Sequence, residues 1–171
     1  MSGNHAASCR IAQLLRQARR AVLVPAQSDP AAVRLLAFAP FDLAVEPLAG
    51  LLTPQTAPDV QLAAVRSLAA HAGVEVPKRL LAGWKGYGPS VRREVVEQML
   101  ARPDRVASLL DAVEKKQVQP SELDPVRVAQ LRSSRNEAIR GRAEKLFSSA
   151  GSADRKAVID QYRAAGDMRG E

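Results

Sequence analysis

The sequence predicts an all-α protein, a stack of consecutive antiparallel helical pairs with about nine or ten helices. Three observations carry this. Apolar residues recur at helical spacing in segment after segment, best seen at Val91, Val95, Val96, Met99 and Leu100, which form one stripe opposite Arg92, Arg93, Glu94 and Glu97. No strand-like alternation of four or more residues occurs anywhere. Imperfect copies of the 91–100 pattern lead other helices: Val33-Arg34 with Leu36 and Ala37, Val60-Gln61 with Ala64, Val65 and Leu68, and Ile139-Arg140 with Ala143 and Phe147. The leads stand 27, 31 and 48 residues apart (33 to 60, 60 to 91, 91 to 139), inside the range of stacked helical hairpins.

Taken in order, residues 1–8 are small and polar and read as a disordered tail. Residues 9–24 place Ile11, Leu14, Leu15, Ala18 and Val22 opposite Arg16, Gln17, Arg19 and Arg20, an amphipathic helix that caps a helical stack or lies on a membrane surface. Ser28-Asp29-Pro30 opens the next helix, which stops at Pro40, and a second runs from Asp42 to Leu52 with Pro47 within its first turns. After a loop at 53–59, an Ala-rich helix spans 60–71 and ends at Gly73, followed by 76–84, whose end is broken by Gly83, Gly86 and Gly88. The 90–101 helix meets Pro103, which restarts a helix carrying Val106, Leu109, Leu110 and Val113 and closing on Lys115-Lys116. Beyond a connector at 117–123, Asp124-Pro125 opens a short helix carrying Val126, Val128, Ala129 and Leu131. Asn136 caps a helix to Phe147, and a last helix covers 153–165. The expected organisation is one helical repeat domain over 9–165 and a C-terminal tail at 166–171.

Composition limits the function. The chain has 171 residues, 46% apolar but only 4% aromatic, so its core is Ala, Val and Leu, suited to close helix packing rather than to an aromatic pocket or a base-stacking surface. A net charge of +7 raises the prior for anionic partners, yet it is dispersed. Residues 1–86 hold nine Lys/Arg against five Asp/Glu (+4), and residues 87–171 hold sixteen against thirteen (+3). A single cysteine, Cys9, excludes an intramolecular disulfide and a Cys-x-x-Cys-His haem attachment. No apolar run reaches transmembrane length, and Ala21-Val22-Leu23-Val24 is too short for a signal-peptide core.

The Val/Ile-Arg pair leading a helix, with small or aliphatic residues four, five and eight positions later, resembles HEAT repeats. More narrowly, 31–37, 59–68 and the Val91-Arg92-Arg93-Glu94 and Leu100-Ala101-Arg102-Pro103 segments resemble the helical-repeat segment of large exported planctomycete-type proteins. There the segment links a sugar-dehydrogenase-like propeller to a c-type cytochrome domain. The likeness covers roughly 11–165 and implies an α-α superhelix of HEAT/armadillo type and an exported parent protein. Two features depart from it: the chain ends before any Cys-x-x-Cys-His, and Ser28, Gly86 and Ser134 stand where HEAT repeats carry a ladder Asp six residues ahead of the Arg. The resemblance therefore implies a fragment, or a stand-alone relative, without haem.

The inventory for chemistry is thin. His5 lies in the tail, His71 near a helix end, and no Glu-x-x-His or His-x-x-x-His pair offers metal ligands. Gly83-Trp84-Lys85-Gly86-Tyr87-Gly88-Pro89-Ser90 lacks the Gly-Lys-Ser/Thr ending and the preceding strand of a phosphate loop. Glu94 and Glu97 with Arg93 read as solvated ion pairs. No catalytic residue, cofactor site or metal site is expected. What remains is a scaffold for a protein partner or neighbouring domains, with a candidate interaction surface comprising Arg92, Arg93, Arg132, Arg135, Arg140, Arg142, Trp84 and Tyr87. Trp84 and Tyr87 around Lys85 are either an exposed recognition patch or a plug between hairpins. The alternative is a nucleic-acid binder using the six arginines as a basic concave face.

Overall fold

The structure is a computed structural model that describes Gln13 and residues 29–148. All regular structure among the described residues is helical, with no strand, as the sequence predicts. Eight α-helices lie there: α1 Pro30–Leu35, α2 Phe41–Gly50, α3 Pro58–Ala70, α4 Glu75–Ala82, α5 Pro89–Leu100, α6 Pro103–Glu114, α7 Pro125–Arg132 and α8 over 137–148. Short 3-10 turns follow α1 (Leu36–Phe38), α4 (Trp84–Gly86) and α6 (Pro120–Glu122). Apart from Gln13, which is helical, the helix expected over 9–24 falls outside the described residues, as does that over 153–165.

Local chemistry sets the boundaries. Asp29 Oδ1 accepts the Ala31 N–H at 2.9 Å, Asp124 Oδ1 accepts the Val126 N–H at 2.8 Å, and Asn136 Oδ1 accepts those of Ala138 and Ile139 at 3.0 and 3.3 Å. Proline stands in the first turn of α1, α3, α5 and α7, where its missing N–H costs nothing. Pro47 is different: as the seventh residue of α2 it lies in the second turn, past the residues whose N–H groups lack an intrahelical partner, and removes one ladder bond. At the end of α6 the expected closing cations take another role. Lys116 adopts φ 56°, its N–H donates to the Val113 carbonyl at 3.0 Å, and the Gln117 N–H donates to Ala112 at 2.9 Å. That pair of bonds is a Schellman motif with lysine where glycine is usual.

The chain divides into two compact units, Met1–Leu109 and Leu110–Glu171. In the first, α3 packs against α1, α2, α4 and α5. The sequence points to 91–100 as the pattern the chain repeats, but α3 is the helix the unit surrounds. Ala63, Ala64, Ser67 and Ala69 are all buried on it, and side chains that small admit neighbours on several sides, while Val60, Val65 and Leu68 fill the gaps. Four of the five α5 stripe residues, Val91, Val95, Val96 and Met99, are buried, and Leu100 is half-buried at the helix end. In the second unit the core comprises Leu110, Val113, Val118, Leu123, Leu131, Ala143 and Phe147. Of the four apolar residues on α7, Leu131 is buried, Val128 is half-buried and Val126 and Ala129 are exposed, Val126 by 69%. At 100° per residue, Val126 stands about 140° around the helix from Leu131, so one face cannot bury both.

Candidate interaction surface

Trp84 and Tyr87 form no surface patch. They are 1% and 4% exposed, because the glycines around them let the loop fold onto the first unit. A Cβ on Gly83 would lie 2.6 Å from Tyr87 Cε1, and one on Gly86 would lie 3.0 Å from Pro54 Cγ, so the glycines serve close packing rather than phosphate binding. Burial pushes the Tyr87 phenol up to about 12. The Gly83 backbone beside the hydroxyl opposes this, but it is not aligned well enough to serve as a hydrogen-bond partner. Arg92 closes the turn from the next helix: its guanidinium carbon sits 5.6 Å above the Trp84 ring, and it donates to the carbonyls of Trp84 at 3.2 Å and Lys85 at 3.3 Å. Two expected recognition residues thus lie in the core, and one expected surface cation, half-buried Arg92, packs over them.

The remaining arginines split in two ways. Arg142 is engaged, its Nη2 lying 2.6 Å from Asp111 Oδ1 and 3.0 Å from Glu114 Oε2, and both carboxylates raise its pKa, Asp111 first. Arg140 folds onto the Ser134 carbonyl and Glu137, each at 3.3 Å. Arg93, Arg132 and Arg135 are exposed, with neither an ion pair nor a hydrogen bond among the described residues. Arg92 and Arg93 belong to the first unit and the other four to the second. Of the expected surface, Arg93, Arg132 and Arg135 are free to meet a partner.

The residues that sequence reasoning missed are those that join helices. Arg66 grips Glu94 with two hydrogen bonds, 3.0 and 2.7 Å, and Gln98 adds a third at 2.9 Å. Arg66, foremost, holds the Glu94 carboxyl below the usual carboxylate range. Arg79 meets Glu46 at 2.8 Å. Buried Arg105 reaches from α6 to the end of α3, where its Nη2 donates to the carbonyls of Ala69 at 2.9 Å and His71 at 2.6 Å. The C-terminal end of a helix is where a cation is most favourable. Beside it, Ser67 donates to the Val33 carbonyl at 3.1 Å and His71 Nε2 lies 3.2 Å from the Leu36 carbonyl. His71 therefore bonds a neighbouring turn rather than the carbonyls of its own helix. A signal for Arg105 existed: it precedes Leu109 by four positions and Ala112 by seven, on the apolar side of its helix.

Among the described residues no group of three His, Cys, Asp or Glu could hold a metal ion, and no helix is long and apolar enough to cross a membrane. Comparison of the chain with protein-family profiles, curated proteins and solved structures finds no match.

Proposed function

We propose that this chain is a non-catalytic α-solenoid scaffold, a HEAT-like module that presents exposed helix surfaces to a protein partner or to neighbouring domains. One observation carries it. The polar links between helices join residues about one hairpin apart in sequence: Arg66 to Glu94 at 28 positions, Arg79 to Glu46 at 33, Ser67 to Val33 at 34, His71 to Leu36 at 35, Arg105 to Ala69 at 36, and Arg142 to Asp111 at 31. A repeating offset of that size is what stacked hairpins require, since each repeat touches mainly its neighbours. Packing of α3 on both α1 and α5, the helices led by Val33, Val60 and Val91, agrees with it. Descent from the repeat segment of a larger dehydrogenase-cytochrome protein fits the same architecture and supplies no active site here.

The discriminating test is a salt titration. A labelled generic DNA duplex and candidate protein partners are each titrated with the chain at rising ionic strength. A scaffold for proteins leaves the duplex without tight binding at physiological salt, whereas a partner held in part by apolar contacts persists as salt rises. Tight duplex binding that collapses steeply with salt would replace this proposal with the basic-face, nucleic-acid alternative.

A further inference from the structure

α7 is an uncovered helix whose exposed side carries both apolar and free cationic groups. Val126, Ala129 and Arg132 follow one another at three-residue intervals along a single ridge, and Arg135 lies in the bend that follows the helix end. All four are exposed, Leu131 alone is buried on this helix, and the two arginines have no ion pair or hydrogen bond among the described residues. We propose that this ridge docks an acidic, partly apolar segment of a partner protein, with carboxylates on Arg132 and Arg135 and an aliphatic side chain against Val126 and Ala129. This deepens the scaffold proposal and rests on it.

Charge complementarity selects the occupant. A second copy of the chain has little to offer, because its carboxylates are engaged. Glu46, Glu75, Glu94, Asp104, Asp111, Glu114 and Glu137 pair with cations, while Asp29, Asp59, Glu122 and Asp124 bind backbone N–H groups. Glu97 also has a partner, which leaves Asp42 and Glu144 as the free acids among the described residues. Residues 149–171 bring four acids (Asp154, Asp160, Asp167, Glu171) against four cations (Arg155, Lys156, Arg163, Arg169), so they carry no net negative charge to place on the ridge. A nucleic acid gains its affinity from many phosphate contacts and from exposed aromatic rings. The ridge and the bend after it supply two free guanidinium groups, and Phe147, the aromatic residue described in this unit, is buried. Two arginines beside an aliphatic strip match a short carboxylate-bearing segment instead.

The test uses the full chain and three fluorescent probes at physiological salt: a short Glu/Leu peptide, a Lys/Leu peptide of the same pattern, and a DNA duplex. Fluorescence anisotropy should show saturable binding of the Glu/Leu peptide alone. The Arg132→Glu/Arg135→Glu double variant should weaken it at least about tenfold, as loss of close charge pairs does. Val126→Asp should weaken it as well, and Arg34→Glu, an exposed cation of the first unit outside the candidate surface, should leave it unchanged. Thermal unfolding of each variant checks that the fold is intact. Failure of the Glu/Leu peptide to bind, equal binding by the double variant, or tighter duplex binding that the double variant abolishes would each overturn the proposal. So would a dimer in sedimentation that Val126→Asp dissolves. A protein partner retained equally by the double variant would remove this site while leaving the scaffold proposal standing.

Discussion

Replacing Arg105 by Met tests whether the first unit is tied together at the end of α3. The guanidinium is 1% exposed and donates two hydrogen bonds to the carbonyls of Ala69 and His71, while its Nε finds no partner. Hydrogen bonds to a charged group contribute about 1.5–3 kcal/mol each, so the pair is worth about 3–6 kcal/mol. Against this stand the desolvation of the cation and the orphaned Nε, which itself costs about 1–3 kcal/mol. Burial, the dominant influence, and the neighbouring cation Arg102 accordingly hold the Arg105 pKa below its ordinary value. Methionine keeps most of the aliphatic contact, removes the orphan and strands two carbonyls, and the net expected loss is about 2–3 kcal/mol. For a chain of this size that lowers the melting temperature by about 4–12 °C. Urea denaturation followed by far-UV circular dichroism measures it. Arg105→Lys, which keeps the charge but not the forked geometry, should fall between wild type and Met. If the Met variant matches or exceeds wild type, as some buried-charge replacements do, Arg105 does not hold α6 to α3.

Three further outcomes follow from the same geometry. Val95→Asp puts an unpaired charge at a fully buried position and should cost several kcal/mol in chemical denaturation, while exposed Arg93→Asp should cost about 0.5 kcal/mol or less; the reverse order would show that the α5 stripe is not core. Lys116→Gly relieves a left-handed residue at the α6 Schellman turn and should raise stability by a few tenths to about 1 kcal/mol, measured the same way. Glu94, held below its ordinary pKa first by the Arg66 hydrogen bond, adds stability that is present above the unfolded value of about 4.3 and is lost as pH falls through the folded value. Denaturation across pH should therefore find Glu94→Gln weaker than wild type near neutrality, with the gap closing below about pH 4.

How far the sequence reached depends on the kind of signal. Caps and breaks were legible because Asp29, Asp124, Asn136 and the first-turn prolines act on their own backbone, within a few residues. The α5 stripe was legible because its period is local as well. What the sequence concealed is long-range. Arg66, Arg79, Arg105 and Arg142 look like surface cations until folding brings a carboxylate or carbonyl from about thirty residues away. Trp84 and Tyr87 were ambiguous for the same reason, since the Gly83 and Gly86 contacts that bury them involve a ring four residues on and a proline in a separate loop. α7 carries four apolar residues, and the burial of Leu131 alone among them is set by packing from outside the segment.

The arginines consequently form two populations that composition cannot separate. Arg66, Arg79, Arg92, Arg105 and Arg142 bind groups within the fold, whereas Arg34, Arg93, Arg132 and Arg135 have no such partner among the described residues. Cations paired with carboxylates already cancel in the net charge of +7, whereas Arg92 and Arg105, which bind backbone carbonyls, count toward it while being held within the fold. A charge-reversal scan read only by binding would place Arg142 and Arg92 in an interface, because unfolding abolishes binding too. Read jointly with stability, the two populations separate: reversal of the first should lower the unfolding midpoint, and reversal of Arg132 or Arg135 should lower affinity at constant midpoint. Arg142 is the sharpest case, since reversing it sets a carboxylate against both Asp111 and Glu114. Like charges at that distance repel, so Arg142→Glu should be among the most destabilising of the surface reversals. If instead it keeps the wild-type midpoint and loses only binding, the two carboxylates do not anchor α8 to α6 and Arg142 belongs with Arg132 and Arg135.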